Sequence, residues 1–153
     1  MATERFESFV RGAERRLSYA FAAAYGPDLG REATAEALAY AWEHWERLQR
    51  MANPVGYLYR VGQSRVRRHR TRIPRRYRSD MWAGREPWIE PGLATGLAAL
   101  SERQRIAVVL VEGFGWTQAE VAALTGVSRS SVQKHLERGL RSLRTHLGVE
   151  ADV

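Results

Sequence analysis

The chain has 153 residues, enough for one ordinary domain or two very small ones. It contains no cysteine, which excludes a disulfide framework and a thiolate metal site, and its four histidines show no metal-ligand spacing. Its 24 basic residues outnumber its 17 acidic residues, and the excess lies in residues 60–79, which carry nine arginines and no acid. No apolar run reaches membrane-spanning length and the N-terminus lacks a signal-peptide pattern, so we expect a cytoplasmic protein with no membrane insertion and no cofactor.

The first half of the chain is predicted to contain three helices. Apolar residues recur at helical spacing over about residues 4–25, and Pro27 interrupts this pattern. A second helix is predicted over about residues 30–48, and a third begins where Asn53 suits the N-cap and Pro54 suits the first helical position. The predicted core side chains of the first two helices are Phe6, Phe9, Ala13, Leu17, Ala20, Phe21, Ala24, Leu38, Ala41, Trp42, Trp45 and Leu48.

Helical periodicity is lost between Ile73 and Gly96, where prolines and glycines are frequent. A structureless loop of more than about twenty residues is unusual inside one compact domain. No segment of the chain shows the alternation of a β-strand. We therefore predict an all-α protein with two small helical domains, residues 1–72 and 97–153, joined by a flexible linker at residues 73–96.

Two capping boxes mark the starts of helices in the second half of the chain. In each, a hydroxyl residue is followed three positions later by Gln or Glu: Ser101 with Gln104, and Thr117 with Glu120. The hydroxyl of such a pair accepts from the backbone of the third residue, whose side chain reaches back to the cap. Both pairs precede apolar runs, which predicts a helix after each of them.

A tight turn separates the helix after Thr117 from the last helix of the chain. Gly126 suits the left-handed residue that ends a helix, and Ser128 suits the N-cap of the next one. The last helix has an apolar stripe formed by Val132, Leu136, Leu140, Leu143 and Leu147. Its other face carries Arg129, Ser130, Gln133, Lys134, Glu137, Arg138 and Arg141.

These two helices are interpreted as a DNA-binding helix-turn-helix. A helical hairpin that only packs would explain the stripe and the turn. It would not explain the opposite face, because Arg, Lys and Gln are the side chains that read base edges or contact phosphates. Agreement between turn chemistry, stripe and polar face therefore favours DNA binding through the second helix.

Aromatic residues accompany the arginine-rich segment. Trp42 and Trp45 lie on the apolar stripe of the second helix and are expected to fill a core. Tyr57 and Tyr59 are two residues apart, so one helix cannot bury both on the same face, and one of them should face outward beside Arg60. An exposed aromatic ring beside a row of uncompensated cations suits stacking on an unpaired base.

The second half of the chain resembles conserved region 4 of bacterial RNA polymerase sigma factors. The residues that carry this resemblance are "LSERQRIAVVLVEGFGWTQAEVAALTGVSRSSVQKHLERGLRSLRTHL". The first half is similar, more loosely, to region 2, through "GREATAEALAYAWEHWERL" and "NPVGYLYRVGQSRVRRHR". The small extracytoplasmic-function (ECF) sigma factors consist of these two regions and a linker. The resemblance therefore implies a sigma factor of ECF type, which is not an enzyme by itself.

The resemblance implies a role for each part of the chain. The helix from Arg129 to Arg141 would bind the −35 promoter element through Arg129, Ser130, Gln133, Lys134, Arg138 and Arg141, and its domain would dock on the polymerase β flap. The first domain would capture single-stranded −10 DNA near Asn53, Tyr57, Arg60, Arg65, Arg67 and Arg68. Glu32 and Glu36 would contact the β′ clamp. The partners implied are core RNA polymerase, promoter DNA and an anti-sigma factor.

The chain departs from the family pattern in its first half. Ala35 stands where Gln is usual, and Arg68 replaces a frequent acid. "GQS" at residues 62–64 stands where Ala-Arg-Asn is common. Two alternatives stay open beside the sigma factor. One is a helix-turn-helix regulator of LuxR type that never joins polymerase, and the other is a degenerate sigma-like adaptor that binds only protein.

Overall fold

The computed structural model describes residues 1–70 and 91–149. Within these two ranges it forms eight α-helices and no strand, which confirms the predicted all-α fold. The helices are α1 (Ala2–Tyr25), α2 (Pro27–Glu43), α3 (Trp45–Leu48), α4 (Pro54–Arg70), α5 (Pro91–Ala99), α6 (Glu102–Val108), α7 (Gln118–Thr125) and α8 (Arg129–Leu147).

The chain divides into two compact units. The N-terminal unit contains Met1–Arg72 and the short stretch Ala123–Gly126, and the C-terminal unit contains Ile73–Ala122 and Val127–Val153. Each unit has its own apolar core. Leu17, Phe21 and Leu58 are fully buried in the N-terminal unit, and Ile106 and Leu110 are buried in the C-terminal unit.

Helix α2 packs closely on α1 because its buried face is made of small residues. Gly30 marks the closest approach, since a Cβ built there would lie 2.8 Å from the backbone nitrogen of Ala22. The Thr34 hydroxyl donates to the Gly30 carbonyl at 2.7 Å, which satisfies a buried polar side chain within the helix. The other buried residues of α2 are Ala33, Ala37 and Ala41.

The prediction that Trp42 lies in the core is wrong. Its side chain is 60% exposed. Trp42 follows Ala41, which points into the core, and successive helical residues lie about 100° apart around the axis. The Trp42 ring instead meets the Phe6 ring edge-on, with centroids 5.0 Å apart. Trp45 is half-buried and contacts the rings of both Phe6 and Phe9.

The predicted second helix, residues 30–48, is two helices. The first helix ends at Tyr25, just before Pro27, as predicted, but α2 begins at Pro27 itself, where the absence of an N–H has no cost. Helix α2 then ends at Glu43, because His44 adopts φ −120° and ψ 23°. The short helix α3 follows at once and buries Leu48. The apolar spacing continues through this break, so the sequence pattern alone does not show it.

Helix α4 begins as predicted. The Asn53 side-chain oxygen accepts from the backbone N–H of Gly56 at 3.0 Å, and Pro54 is the first helical residue. Tyr59 is buried and Tyr57 is half-exposed, which confirms that the two rings lie on different faces. The ring of Tyr59 stacks on Phe21 of α1 with centroids 5.1 Å apart.

Helix α5 begins inside the segment that was predicted to be the linker. It runs from Pro91 to Ala99, so residues 91–96 are helical. Gly96, whose presence suggested a loop, is buried. A Cβ at this position would lie 2.7 Å from Cδ1 of Leu143 in α8, so the glycine allows two helices to pack closely. The rest of the predicted linker, residues 73–90, lies outside the described residues.

Helix α6 opens on the first predicted capping box, which is complete. The Gln104 backbone N–H donates to the Ser101 hydroxyl at 3.2 Å, and the Ser101 N–H donates to the Gln104 side chain at 3.3 Å. The helix continues into one π-helical turn, Val109–Gly113, in which the Phe114 N–H donates to the Val109 carbonyl at 3.1 Å. The periodic pattern of the sequence does not indicate this wider turn.

A buried arginine joins α6 to the end of α5. Arg105 is only 5% exposed, and its Nη1 donates to the carbonyls of Leu97 and Leu100 at 3.2 and 3.1 Å. The last carbonyls of a helix have no partner within the helix and form its negative end. The guanidinium therefore gives the Leu100 carbonyl a hydrogen bond and adds a second one to the Leu97 carbonyl, which also accepts from the Leu100 N–H at 3.2 Å.

Two classes of feature do not occur in the part of the chain that the structure describes. No helix there is long and apolar enough to cross a membrane. No group of three or more His, Cys, Asp or Glu side chains there could hold a metal ion.

Candidate nucleic-acid interface

The turn between α7 and α8 has the geometry that its sequence predicts. The Thr117 hydroxyl accepts from the backbone N–H of Glu120 at 3.1 Å, and it donates to the Glu120 carboxylate at the same distance. Gly126 has φ +74°, in the left-handed region that favours glycine. The Ser128 hydroxyl accepts from the Ser131 N–H at 3.1 Å and so caps α8.

Helix α8 separates its apolar stripe from its polar face. Val132, Leu136 and Leu143 of the stripe are buried, and Leu140 and Leu147 are partly covered. Gly139 is also buried, because a Cβ there would lie 2.7 Å from Val108 of α6. All six side chains predicted to contact the −35 element are exposed: Arg129, Ser130, Gln133, Lys134, Arg138 and Arg141.

The exposed face of α8 is strongly cationic. It carries five basic side chains, the last of them Arg144, against the single carboxylate of Glu137. Gln133 donates from its amide nitrogen to that carboxylate at 3.2 Å. The hydroxyl of Ser130 lies 3.1 Å from that of Ser128, beside the helix cap. This face therefore offers cations for phosphates and a positioned amide for a base edge.

His135 lies half-buried between the polar face and the stripe. Burial lowers the pKa of His135 below its ordinary value, and the positive charges of Arg103 and Arg138 lower it further. The imidazole is therefore neutral at neutral pH. A neutral His135 adds no further positive charge beside these arginines.

We expect acid to destabilise the C-terminal unit through His135. The folded-state pKa lies below the unfolded value of about 6.5, so the unfolded chain binds the proton first as pH falls. The free energy of unfolding should therefore fall as pH drops from about 6.5 to the folded pKa. Histidine NMR titration and unfolding of the wild type and His135→Gln measure both effects. A midpoint for His135 at or above about 6.5 would contradict the expectation.

The residues predicted to bind single-stranded DNA lie on α4 or immediately before it. Asn53, Arg60, Arg65, Arg67 and Arg68 are exposed, and Tyr57 is half-exposed. The Tyr57 ring lies in the first turn of α4, and Arg65, Arg67 and Arg68 lie toward the end of the same helix. The later arginines of the same basic segment, beyond residue 70, lie outside the described residues.

The two predicted sites of the N-terminal unit touch each other. Arg65 Nη1 lies 4.0 Å from a carboxylate oxygen of Glu36, and both side chains are about half exposed. An ion pair this long and this exposed contributes between zero and about 1 kcal/mol to stability. Glu32, one turn earlier on α2, is exposed as well. Arg65 and Glu36 therefore remain accessible to a partner.

Comparison with known proteins identifies the helix-turn-helix. Residues 93–143 match the family model for sigma-70, region 4. These residues are a sigma-70 region 4. The predicted resemblance of the second half of the chain to region 4 is confirmed by this match. The matched segment includes α6, α7 and the part of α8 that carries the exposed cationic face.

The fold of the whole chain is that of a solved sigma factor. It is similar to the sigma factor RpoE in its complex with the anti-sigma factor NepR from Bartonella quintana. The TM-score is 0.67 at 16% sequence identity, over 97% of this chain and 99% of that one. No curated protein matches the chain. At this identity the likeness supports the fold, while region 4 is identified by its own sequence.

Two arginines of this chain, one bridging and one buried, were not predicted from the sequence. Arg47 of α3 bridges the hydroxyls of Tyr40 and Tyr57, donating to them at 2.7 and 2.6 Å. Arg105 lies buried within region 4, between α6 and the end of α5. Neither arginine belongs to the basic run, so charge patterning gave no signal. The spacing of Tyr40 and Arg47, seven residues or about two helical turns, was the only available indication for the first of them.

Alanine at Gln133 or Arg129 tests whether region 4 reads bases. Each substitution is expected to cost about 1–3 kcal/mol on the preferred duplex and to relax preference at one position. Competition binding of holoenzyme to a set of single-base promoter variants measures this. Arg144→Ala, on the same exposed face but nearer the C-terminus, is the matched control. Equal losses on preferred and random duplex would reassign these residues to phosphate contacts.

Proposed function

We propose that this chain is a sigma factor that directs core RNA polymerase to specific promoters. The observation that carries the proposal is the region 4 match over a helix-turn-helix whose second helix exposes five cations and a positioned amide. In this proposal α8 reads the −35 element with Arg129, Gln133 and its neighbours on the exposed face. The region 4 domain also docks on the β flap.

The N-terminal unit supplies the −10 and clamp contacts in this proposal. Tyr57 offers a half-exposed ring, and Asn53 and Arg60 are exposed beside it on the same helical segment. Glu32 and Glu36 offer exposed carboxylates on α2 for the β′ clamp. The fold likeness over 97% of the chain supports this division of labour between two units.

The domain boundaries follow the same division. Residues 1–72 act as the region 2 domain, region 4 begins with α5, and the segment from residue 73 to α5 connects the two domains. The chain catalyses no reaction by itself and works in the cytoplasm. Because the solved relative is in complex with the anti-sigma factor NepR, an anti-sigma factor is proposed as a regulatory partner here too.

The free protein is expected to bind promoter DNA weakly. Residues 97–153 carry seven basic and six acidic groups, and a single helix-turn-helix contacts few phosphates. The dissociation constant of residues 97–153 for promoter DNA should therefore lie near the non-specific range of about 10⁻⁴–10⁻⁶ M. Polymerase fixes the spacing of the two DNA-binding surfaces and so couples their binding to DNA.

Run-off transcription with core RNA polymerase on a library of source-genome fragments tests the function. Transcripts that depend on the added chain and share sequences upstream of their starts are the expected result. Core polymerase alone is the control. Tight binding of the free chain to one duplex site, with no gain from polymerase, would instead establish a stand-alone regulator. If the chain binds neither core polymerase nor duplex DNA, the remaining alternative is the sigma-like adaptor that binds only protein.

A further inference from the structure

Four side chains of the N-terminal unit form a compact polar cluster, the Arg47 cluster: Tyr40, His44, Arg47 and Tyr57. Arg47 Nη2 donates to both phenol oxygens, and the two hydroxyls lie 3.2 Å from each other. The His44 ring stacks on Tyr40 with centroids 4.0 Å apart, and its Nδ1 lies 3.0 Å from the Tyr40 carbonyl. Because a carbonyl only accepts, Nδ1 carries a proton.

Counting hydrogen-bond donors shows what this cluster still lacks. A guanidinium has five N–H donors and no acceptor, and Arg47 uses the two on Nη2 for the phenols. One of the two phenol O–H groups donates to the other phenol oxygen, so the second O–H has no acceptor within the cluster. Three N–H groups and one O–H therefore remain at one place, and the phenol oxygens have already accepted from Arg47. The cluster is left with donors, so it suits a ligand made of acceptors.

The charge of the cluster is not neutralised by an ion pair within the described part of the chain. No carboxylate pairs with Arg47 in the ranges that the structure describes. The hydrogen bond with Tyr57 and then burial raise the pKa of Tyr40 above its ordinary value, so the Tyr40 phenol stays protonated and keeps its donor at neutral pH. Arg47 itself is exposed. A partner in solution can therefore reach the guanidinium.

We propose that the Arg47 cluster binds a phosphodiester of single-stranded DNA, next to the base that Tyr57 and Asn53 contact. This deepens the proposed function, on which it rests. A phosphate has the unused acceptors that the cluster needs, and charge-assisted bonds from a guanidinium to phosphate are among the strongest in proteins. Asn53 lies one helical turn before Tyr57, so the first turn of α4 can contact the base while the Arg47 cluster contacts its phosphate.

The bridge made by Arg47 also positions Tyr57. Its guanidinium carbon lies 5.4 Å from the centre of the Tyr57 ring, in addition to the bond to the hydroxyl. A ring held by its hydroxyl loses little further freedom when a base stacks on it. Lysine cannot replace this arrangement, because one ammonium lacks the planar fork that reaches two phenols and a phosphate together.

Anisotropy of a labelled twelve-nucleotide oligothymidylate, titrated with the full chain at several salt concentrations, tests the site without polymerase. Arg47→Gln is expected to weaken binding about tenfold and to reduce the salt slope by about 0.7, the loss of one single-strand phosphate contact. Tyr40→Phe and Tyr57→Phe should weaken binding with the slope unchanged. Arg47→Lys should keep the slope and lose affinity. If these variants bind the oligonucleotide as the wild type does, only the proposal for the Arg47 cluster fails. The sigma-factor function is tested separately by run-off transcription.

The control is Arg11→Gln, which removes the same charge from an exposed side chain of α1 that makes no hydrogen bond or ion pair among the described residues. An oligonucleotide with neutral methylphosphonate linkages should bind the wild type and Arg47→Gln equally. Equal salt slopes for the wild type and Arg47→Gln would overturn the proposal. So would equal slope losses for Arg47→Gln and Arg11→Gln. Identical binding by the Lys and Gln variants, with lowered melting in both, would show a purely structural role.

Discussion

Arg105→Ala is expected to remove a large share of the stability of the C-terminal unit. The substitution removes the guanidinium that donates to the carbonyls of Leu97 and Leu100 at the end of α5. A buried acceptor left without a hydrogen bond costs about 1–3 kcal/mol, and the emptied space under α5 adds a cavity term. Since a unit of 77 residues has a net stability of only about 4–12 kcal/mol, the loss takes a large share of it.

Chemical denaturation followed by circular dichroism measures the effect of Arg105→Ala. Arg103→Ala, an exposed arginine on the same helix, is the matched control and should leave the transition within about 0.5 kcal/mol of the wild type. Arg105→Met separates the two contributions, because it restores volume but no donor. A stability for Arg105→Met equal to that of the wild type would show that the hydrogen bonds contribute nothing.

Gly62→Ala is expected to destabilise the N-terminal unit by about 1–3 kcal/mol, although alanine is the better helix former. A Cβ at this position would lie 2.2 Å from Cζ of Phe21. That ring is fully buried, and it stacks on Tyr59 at 5.1 Å and on Tyr25 at 6.2 Å. The ring therefore has no free space into which it could move.

Shortening the opposing side chain provides the test of this explanation. Phe21→Leu alone should destabilise by leaving space, whereas Phe21→Leu with Gly62→Ala should be more stable than the sum of the single effects. Gly12→Ala is the control. Gly12 lies in the interior of α1 with nothing within 4 Å of a built Cβ, so alanine there should stabilise by about 0.5–1 kcal/mol. Additive effects of the Phe21 and Gly62 changes would contradict the steric account.

The contact with Phe21 also explains one departure from the family pattern. The pattern has alanine where this chain has Gly62, and a large aromatic ring occupies the space of the missing methyl group. The departure is therefore compensated within the core of the N-terminal unit. It does not alter the exposed face of α4, where Arg60 and Arg65 lie.

Features determined by neighbouring residues were predictable from the sequence. The Ser101 and Thr117 caps, the left-handed Gly126 and the Ser128 cap all depend on backbone groups within a few positions. Each of them has the expected geometry. The exposed face of α8 was predictable for a similar reason, because the leucine stripe fixes the rotation of the helix.

Features determined by distant packing were not predictable. The core face of α2 is made of Ala33, Ala37 and Ala41, whereas apolar patterning gives most weight to large residues and so selected Trp42. Gly96 resembles a loop residue until its contact with Leu143 is known. The Arg47 cluster combines residues from α2, α3 and α4, and no spacing along one helix encodes the meeting of its two phenols.

The hydrogen bond between Gln133 and Glu137 orients the Gln133 amide before region 4 meets a base edge. The carboxylate accepts only, so it fixes which end of the Gln133 amide is nitrogen. One N–H and the amide oxygen then remain, which is the donor and acceptor pair that matches the N7 and N6 edge of adenine. Because this rotamer is already selected before binding, less side-chain entropy is lost on contact, a saving on the order of 0.5–1.5 kcal/mol. The same carboxylate repels phosphates, so a misplaced α8 would dissociate sooner than a correctly placed one.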